Sequence, residues 1–336
     1  MPTNYALRTP LFSKASSTGA NTQSAKLLII VNGTTVYTIV KPAKPNVDVI
    51  FEIGELLRDY LEVGQTYVAM YITFYTNIQF FNQPNAGGTA QGSPVSALSG
   101  DGYMAYTEFV DGENSVMPFK DRVKPTWLLA TIHPNVPQTI TDDYYIYVPH
   151  GHSGLVPYIQ YDGSTGVDSY SGTDTSITFP QGINLNIVRI NCSKYGTGRK
   201  ISFINKYGFL QDLWFYLKET KTINRSNESF KTNILDPNAR YGTNVSPTKL
   251  FNTEAKQTHV LSSGYYPEGA NEYFEQLLLS EHVWLTRYRK NAPTSEETIP
   301  VILKTSNFTY KTSVNDRLVE YTMTFEDAFD YINNVR

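Results

Sequence analysis

The sequence predicts a mainly β fold, built as two β-sandwich or barrel-like domains with a few short helices. Aromatic residues make up 13% of the 336 residues, with 25 Tyr and 17 Phe, whereas charged residues make up only 18%. Tyr, Phe, Val, Ile and Thr suit the pleated, half-buried surface of a sheet. Apolar and polar residues also alternate in many short runs, and only two segments show helical spacing. A chain of this length is long enough for two domains with separate cores.

The first residues predict a hairpin that follows a polar tail. Residues 1–25 are rich in Ser, Thr, Asn and Ala, and we expect them to form an extended N-terminal arm that becomes ordered on assembly. An N-terminal β domain is predicted for residues 26–150. It opens on two strands, Leu27–Val31 and Thr34–Val40, which flank Asn32-Gly33. This residue pair supplies the positive φ angles that a type I′ hairpin turn requires.

Three further patterns describe the rest of this domain. Apolar residues at helical spacing between Ile53 and Leu61 predict one short helix. From Tyr67 to Ile78 the side chains alternate between two faces, as in a strand. Residues 82–102 are rich in Gly, Ala, Ser, Pro and Asn and predict a long exposed loop. Other strands are predicted at residues 47–51, 103–110, 127–132 and 144–148.

A segment rich in Gly, Ser and Asp, residues 151–176, predicts a linker between the domains. The C-terminal β-rich domain is predicted for residues 177–336. Within it, polar and turn-forming residues at 222–247 predict a long loop. The apolar spacing of residues 271–280 predicts a second short helix. Strands are predicted at residues 176–179, 186–190, 200–205, 209–217, 282–288, 299–304 and 319–325.

Two nearby histidines are the first candidate for chemistry. His150 and His152 could share a metal ion if they lay on one strand, and Asp142 or Asp143 could supply the third ligand that zinc needs. The surrounding Gly and Pro residues indicate a loop instead. Exposed loop histidines are therefore the simpler interpretation.

The acidic residues do not form a recognisable site either. Asp162, Asp168 and Asp174 are spaced more widely than the acids of a calcium-binding loop, and turn capping explains them. Adjacent acids on a strand point to opposite faces, so they do not form the facing pair of a glycosidase. Three such pairs occur, Asp142/Asp143, Glu296/Glu297 and Glu326/Asp327. We therefore predict no catalytic, metal-binding or cofactor-binding residues and no cofactor, and we expect that the chain is not an enzyme.

Charge and cysteine content limit the partners that the chain could have. The net charge is -3, which differs from the strongly basic character of nucleic-acid-binding domains, so no direct nucleic-acid recognition is predicted. The single cysteine, Cys192, excludes a disulfide within the chain. No apolar run reaches the length of a signal peptide or a membrane span, so we expect no membrane contact and assembly in a cytoplasm.

Two passages resemble a known group of virion proteins. One is the run from Ile201 to Phe209 together with Leu213-Trp214-Phe215. The other is the C-terminal half, with Glu272–Ser280, Val283-Trp284-Leu285, Ile299-Pro300-Val301 and the ending from Tyr321 to Arg336. These passages are similar in composition and order to neck and tail proteins of crAss-like bacteriophages, which infect Bacteroidetes. The resemblance covers roughly residues 200–336.

This resemblance implies a structural virion protein, a subunit of a symmetric ring or a tail hub. Its expected partners are copies of itself in a ring and other phage neck or tail proteins, and it would be located in the virion after assembly in the host cytoplasm. Two alternatives remain open: a carbohydrate-binding module for receptor recognition and a tail-associated glycan depolymerase. A surface adhesion protein of Bacteroidetes with similar β domains would normally carry a signal peptide or a lipobox cysteine near its start, and the sequence predicts neither, so this class is disfavoured.

Overall fold

The prediction of a mainly β chain with a few short helices is confirmed by a computed structural model. The structure describes residues 4–8, 10–63, 69–105, 144–159, 165–179, 184–190, 198–289, 292–307, 309–310 and 318–330. It divides the chain into two compact units. Unit 1 contains residues 1–191, 203–212 and 279–281, and unit 2 contains residues 192–202, 213–278 and 282–336.

Unit 1 begins with a six-stranded sheet. Its strand order is β1-β8-β7-β3-β4, and β6 pairs with β7. Strands β2 and β5 form a separate antiparallel pair. The elements are β1 (Asn4–Ala6), β2 (Phe12–Ser16), β3 (Ser24–Val31), β4 (Thr34–Pro42), β5 (Asp48–Glu52), α1 (Gly54–Arg58), β6 (Glu62–Val63), β7 (Met70–Phe81), a 3-10 turn (Pro84–Ala86) and β8 (Val95–Tyr103).

Local patterns in this sheet match the predictions closely. Asn32 and Gly33 both have positive φ, 48° and 82°, so the turn between β3 and β4 has the predicted conformation. Along β7 the side chains alternate between buried and exposed from Met70 to Tyr75. Alternation of this kind places one face of the strand in the core and the other in water.

The structure differs from the predicted N-terminal arm. The described part of residues 1–25 contains β1, β2 and the start of β3, and β1 pairs in parallel with β8. Leu7 and Leu11 are only 1% exposed. Burying these side chains stabilises the segment on its own chain, although the flanking Ser, Thr and Asn residues predict a mobile tail.

Two predicted loops of this unit also contain strands. Residues 82–102 include nearly all of β8, so only the part before Val95 is a loop. Residues 151–176 include β10 and β11, which pair as a hairpin. Cross-strand hydrogen bonds stabilise both segments despite their Gly and Ser content. The predicted strands at 103–110 and 127–132 lie mostly or entirely outside the described residues.

A second group of strands completes unit 1. Strands β12, β13 and β9 form a three-stranded sheet in that order, in which β9 and β13 are parallel. The bounds are β9 (Tyr144–Pro149), β10 (Gly154–Ile159), β11 (Thr165–Tyr170), β12 (Ser176–Thr178) and β13 (Asn184–Ile190). The predicted start of the C-terminal domain at residue 177 therefore lies within unit 1, because β12 and β13 share a sheet with β9.

The remaining strands build a seven-stranded sheet in the order β15-β14-β19-β20-β22-β17-β16. Two further strands, β18 and β21, pair separately. The bounds are β14 (Arg199–Ile204), β15 (Leu210–Phe215), β16 (Glu219–Lys231), β17 (Thr248–Ser262), β18 (Tyr266–Pro267), a 3-10 turn (Glu268–Ala270), α2 (Asn271–Leu279), β19 (Val283–Arg289), β20 (Ala292–Leu303), β21 (Leu318–Val319) and β22 (Thr322–Asp327).

This sheet closes on itself because one chain segment supplies both of its ends. Strand β15 pairs with β14 at one end of the order, and β16 pairs with β17 at the other. Only residues 216–218 separate β15 from β16. The backbone N–H of Tyr216 donates to the carbonyl oxygen of Ser263 at 3.3 Å, so this connecting segment also runs beside the end of β17.

Helix α2 contributes the centre of the aromatic core of unit 2. Phe274 is fully buried. Its ring packs against those of Phe215, Tyr266 and Tyr321, with centroid distances of 6.2, 5.5 and 4.6 Å. The predicted helix at residues 271–280 is thus confirmed. Among the described residues, no helix combines the length and the apolar character needed to cross a bilayer.

Candidate functional site: a long hairpin and the charged network at its root

Strands β16 and β17 continue well beyond the closed sheet. Strand β17 pairs with β22 only over Thr258–Ser262. Beyond that point, residues 223–257 pair only with each other in the described part of the chain. We call residues 223–257 the hairpin extension. The prediction of a loop at residues 222–247 is wrong for its first ten residues, which belong to strand β16.

Strand β16 of the hairpin extension is open to solvent on both faces, whereas Ala255 of β17, near the sheet, is buried. Every residue of β16 from Thr220 to Lys231 is exposed. The strand part, at roughly 3.3 Å per residue, reaches about 30 Å from Ile223 to Lys231. A two-stranded hairpin of this kind is marginally stable alone in water. Its open edges also present backbone donors and acceptors to any approaching strand.

The tip of the extension is ordered by its own side chains. The carboxylate of Asp236 accepts hydrogen bonds from the backbone N–H groups of Asn238 and Arg240, at 2.9 and 2.8 Å. The side-chain oxygen of Asn233 accepts another from the N–H of Leu235 at 3.0 Å. Asp and Asn commonly fix turns in this way. The tip is therefore a defined shape that a partner could recognise.

Large apolar side chains are exposed along the extension. The rings of Phe230 and Phe251 lie side by side, with centroids 5.6 Å apart, and the residues are 48% and 46% exposed. Contiguous exposed apolar groups on a soluble chain mark interaction sites. Five more residues of the extension share this property: Ile223, Leu235, Tyr241, Val245 and Leu250.

A buried charged network lies where the extension joins the sheet. His259 of β17 is fully buried, and both of its ring nitrogens have carboxylate partners. Its Nδ1 lies 3.1 Å from Glu219 of β16, and its Nε2 lies 3.0 Å from Asp327 of β22. A doubly protonated imidazole donates to both carboxylates, so the ring joins three neighbouring strands.

Cations complete the network on both sides of the histidine. Arg199 of β14 donates to Glu219 at 2.7 and 2.9 Å, through Nη2 and Nε. Arg287 of β19 lies 3.3 Å from Asp327 and 3.5 Å from Glu297 of β20. Lys221 lies 3.5 Å from Glu219. Charges from six of the seven strands of this sheet therefore contribute to one alternating chain of ion pairs.

The network shifts the protonation equilibria of two groups in opposite directions. Burial opposes the charged form of His259, but hydrogen bonds to Asp327 and Glu219 outweigh it and raise the pKa above its usual value. Burial raises the pKa of Glu219, but hydrogen bonds from His259 and Arg199 lower it by a larger amount, so the resulting pKa is about 2. Both groups are thus stabilised in their charged forms at neutral pH.

A pH optimum of stability follows from these shifts. The contribution of His259 is fully present below the unfolded pKa of about 6.5 and is lost as the pH rises through its raised folded pKa. The contribution of Glu219 is present above an unfolded pKa of about 4.3 and is lost as the pH falls towards about 2.

We expect His259→Gln to abolish most of the decrease in unfolding free energy above pH 6.5, measured by urea unfolding at a series of pH values. His150→Gln, which changes an exposed loop histidine, is the control. Equal alkaline slopes in the parent and in His259→Gln would contradict this assignment.

The geometry favours a structural role for the network. His259 is inaccessible to solvent, and both of its nitrogens are engaged by carboxylates. In the part of the chain that the structure describes, no group of three His, Cys, Asp or Glu side chains is arranged to hold a metal ion. This arrangement keeps charged side chains in fixed positions where the hairpin extension joins the sheet.

Most of the residues that the sequence offered as candidates lie outside the charged network, whereas Glu297 and Asp327 belong to it. His150 is exposed, and the backbone oxygen of His152 accepts a hydrogen bond from Arg189. Asp168 and Asp174 accept hydrogen bonds from nearby backbone N–H groups, as turn residues do. Asp142, Asp143 and Asp162 lie outside the described residues. Glu296 and Glu297 lie on β20.

The pair Glu326/Asp327 illustrates how the network could be missed in the sequence. The two side chains point to opposite faces, as expected for adjacent strand residues. Glu326 contacts Lys304 and Lys256 at 3.0 and 3.8 Å, whereas Asp327 points to His259. The two carboxylate partners of His259 are 40 and 68 positions away in the sequence. No local spacing links residues at such separations.

Comparison with known proteins adds no relative. The chain matches no known protein family, no curated protein and no solved structure.

Proposed function

We propose that this chain is a non-enzymatic structural subunit of a bacteriophage neck or tail, which joins copies of itself and other virion proteins into a ring or hub. The hairpin extension is the observation that carries this proposal. It orders 35 residues whose exposed apolar groups and open strand edges gain little within their own chain. A partner that covers them recovers that free energy.

The contacts that the extension can offer a partner support assembly through it. Aromatic side chains bury about 150–250 Å² each at interfaces, which makes Phe230 and Phe251 suitable anchors. A strand edge supplies backbone hydrogen bonds to a partner strand, and the side chains around it supply specificity. The extension offers both kinds of contact along about 30 Å of strand.

The charged network supports the same role. Glu219 and His259 lie in the first and third pairs of β16 and β17, Glu219–Leu261 and Lys221–His259, on the sheet side of the extension. Their ion pairs fix the direction in which the extension leaves the sheet. A binding element that is already oriented loses less conformational entropy when it docks. The placement in a phage virion rests on the sequence resemblance over residues 200–336.

The first test is the oligomeric state of the full chain. We expect size-exclusion chromatography with light scattering to give a discrete oligomer, or a concentration-dependent mass, and negative-stain images to show rings. A monomer that forms rings only with other virion proteins would also support the proposal. A strict monomer that ignores those proteins and is retained on a polysaccharide column would instead favour a carbohydrate-binding module.

A further inference from the structure

A groove in unit 1 lies between the end of β4 and strand β5. Its volume is about 730 Å³, which falls within the range of roughly 300–1,000 Å³ that is typical of ligand sites. Val47 and Ile50 in its wall are 52% and 50% exposed, and Pro42 belongs to the β4 side. The groove therefore presents apolar side chains that a ligand could cover.

Three lysine side chains stand around this groove. Lys41 and Lys44 belong to its lining. Lys14 of β2 lies directly opposite Ile50 in the β2–β5 pair, so these two side chains share one face. All three lysines are exposed. Within the described part of the chain, none of them forms an ion pair with a carboxylate.

The acidic residues near the groove do not neutralise these lysines. Asp48 belongs to the groove lining, and Glu52 lies on the same face of β5. Three lysines and two acids give a net charge of +1, whereas the whole chain carries -3. The remainder of the chain therefore carries -4, and the groove is a locally basic place. Its ammonium groups are available to an anionic ligand.

Strand β5 presents an open edge to the groove. In the described residues, β5 pairs only with β2. The backbone N–H of Ile53 donates to the carbonyl oxygen of Leu11 at 2.8 Å, and backbone groups point to alternate sides along a strand. The peptide groups of Asp48 and Ile50 therefore point away from β2. The carbonyl oxygen of Ile50 accordingly accepts a hydrogen bond from Nζ of Lys41 in the groove lining, at 3.0 Å.

Lys41 is held at this edge without closing it. Its Nζ also lies 5.2 Å from the centroid of the Phe51 ring. An ammonium group has three donors, and a carbonyl oxygen has two lone pairs. Ile50 can therefore accept a hydrogen bond from a peptide N–H as well, and Lys41 keeps donors for a carboxylate.

We propose that this groove binds an extended acidic segment of a partner protein, which adds a strand to the open edge of β5. The backbone of the segment pairs with Asp48 and Ile50, its apolar side chains pack against Val47, and its carboxylates bind the lysines. In strand addition, main-chain hydrogen bonds give affinity and contacts with alternate side chains give specificity. This inference goes beyond the proposed assembly through the hairpin extension and does not rest on it.

Binding of labelled peptides to the full chain tests the site. The probe is a short peptide that alternates Glu and Val, and fluorescence anisotropy measures its binding. We expect saturable binding that weakens as salt is added, whereas a peptide that alternates Lys and Val should not bind. Replacing the central Val of the acidic peptide with Pro should weaken binding by about tenfold or more, because Pro lacks the N–H donor that a strand ladder needs.

Charge reversal in the chain locates the peptide. Lys14→Glu with Lys44→Glu should weaken binding of the acidic peptide by about tenfold or more, because the new carboxylates repel it. Lys218→Glu with Lys304→Glu is the matched control, since it makes the same charge change at two exposed lysines of unit 2. Its affinity for the peptide should equal that of the parent.

A change in the apolar wall tests the remaining contact. Val47→Ser should weaken binding of the acidic peptide, whereas Val95→Ser, at a residue of β8 that is 41% exposed, should not. An acidic peptide that binds no better than the basic one, or that binds the parent and the Lys14→Glu, Lys44→Glu variant equally, would overturn the site. Equal binding of the Pro-containing peptide would overturn the added strand. Each of these results leaves assembly through the hairpin extension standing, because other residues carry it.

Discussion

Replacing Asp327 with alanine is expected to destabilise unit 2 by about 3–5 kcal/mol, since this is the typical cost of removing one partner of a buried ion pair. The carboxylate lies 3.0 Å from His259 and 3.3 Å from Arg287, and its own side chain is only 10% exposed. Without it, an imidazolium and a guanidinium face each other with no intervening negative charge. A typical domain has a total stability of about 5–15 kcal/mol, so the loss is a large fraction.

Tryptophan fluorescence during urea unfolding can measure this effect. Two of the three tryptophans, Trp214 and Trp284, lie in unit 2. The neighbouring substitution Glu326→Ala is the matched control. Its partners, Lys304 and Lys256, are 47% and 44% exposed, and Glu326 itself is 15% exposed, so we expect a smaller loss than for Asp327, about 1 kcal/mol. Equal losses in the two variants would show that the buried network contributes no more than an ordinary surface pair.

Sequence reasoning succeeded where the determinants of structure are local. The Asn32-Gly33 turn follows from the φ angles that two adjacent residues adopt, and the alternation along β7 follows from burial of one strand face. Helix α2 follows from apolar spacing over two turns. In each case a window of about ten residues contains the physical cause.

The hairpin extension was missed because its stability is not local. Many of its residues are polar or turn-forming, and β16 is exposed on both faces from Thr220 to Lys231, so no alternation of buried and exposed residues marks that strand. Cross-strand pairing between Glu219–Lys231 and Thr248–Ser262 defines both strands instead. Strands without a buried face are assigned from their partners, and a sequence does not state the pairing.

The charged network could not be predicted for a related reason. His259 becomes significant only when the closed sheet brings Glu219 and Asp327 to its two nitrogens. The network and the hairpin extension then have one physical connection. Glu219 and His259 lie on the two strands that continue into the extension, so ionic contacts inside the sheet determine how that exposed element is held.

Removing the hairpin extension is expected to abolish self-association while the rest of the chain stays folded. Thr222 and Thr258 lie directly opposite each other in β16 and β17. An Asn-Gly pair can join them as Asn32-Gly33 joins Val31 and Thr34, which are also directly opposite. Glu219 and His259 remain in place, so the unfolding transition of the variant should stay within about 1 kcal/mol of the parent, as for changes away from the core.

A milder variant separates the apolar contact from the loss of the whole element. Phe230→Ser with Phe251→Ser should weaken self-association by roughly 1,000-fold, because interface anchors contribute about 2 kcal/mol or more each and every 1.4 kcal/mol is a factor of ten. Phe329→Ser is the control, since Phe329 is 62% exposed and lies outside the extension. Light scattering over a range of concentrations measures both. A shortened chain that still forms the parent oligomer would move the interface away from the extension, because the parts that remain would then be sufficient for assembly.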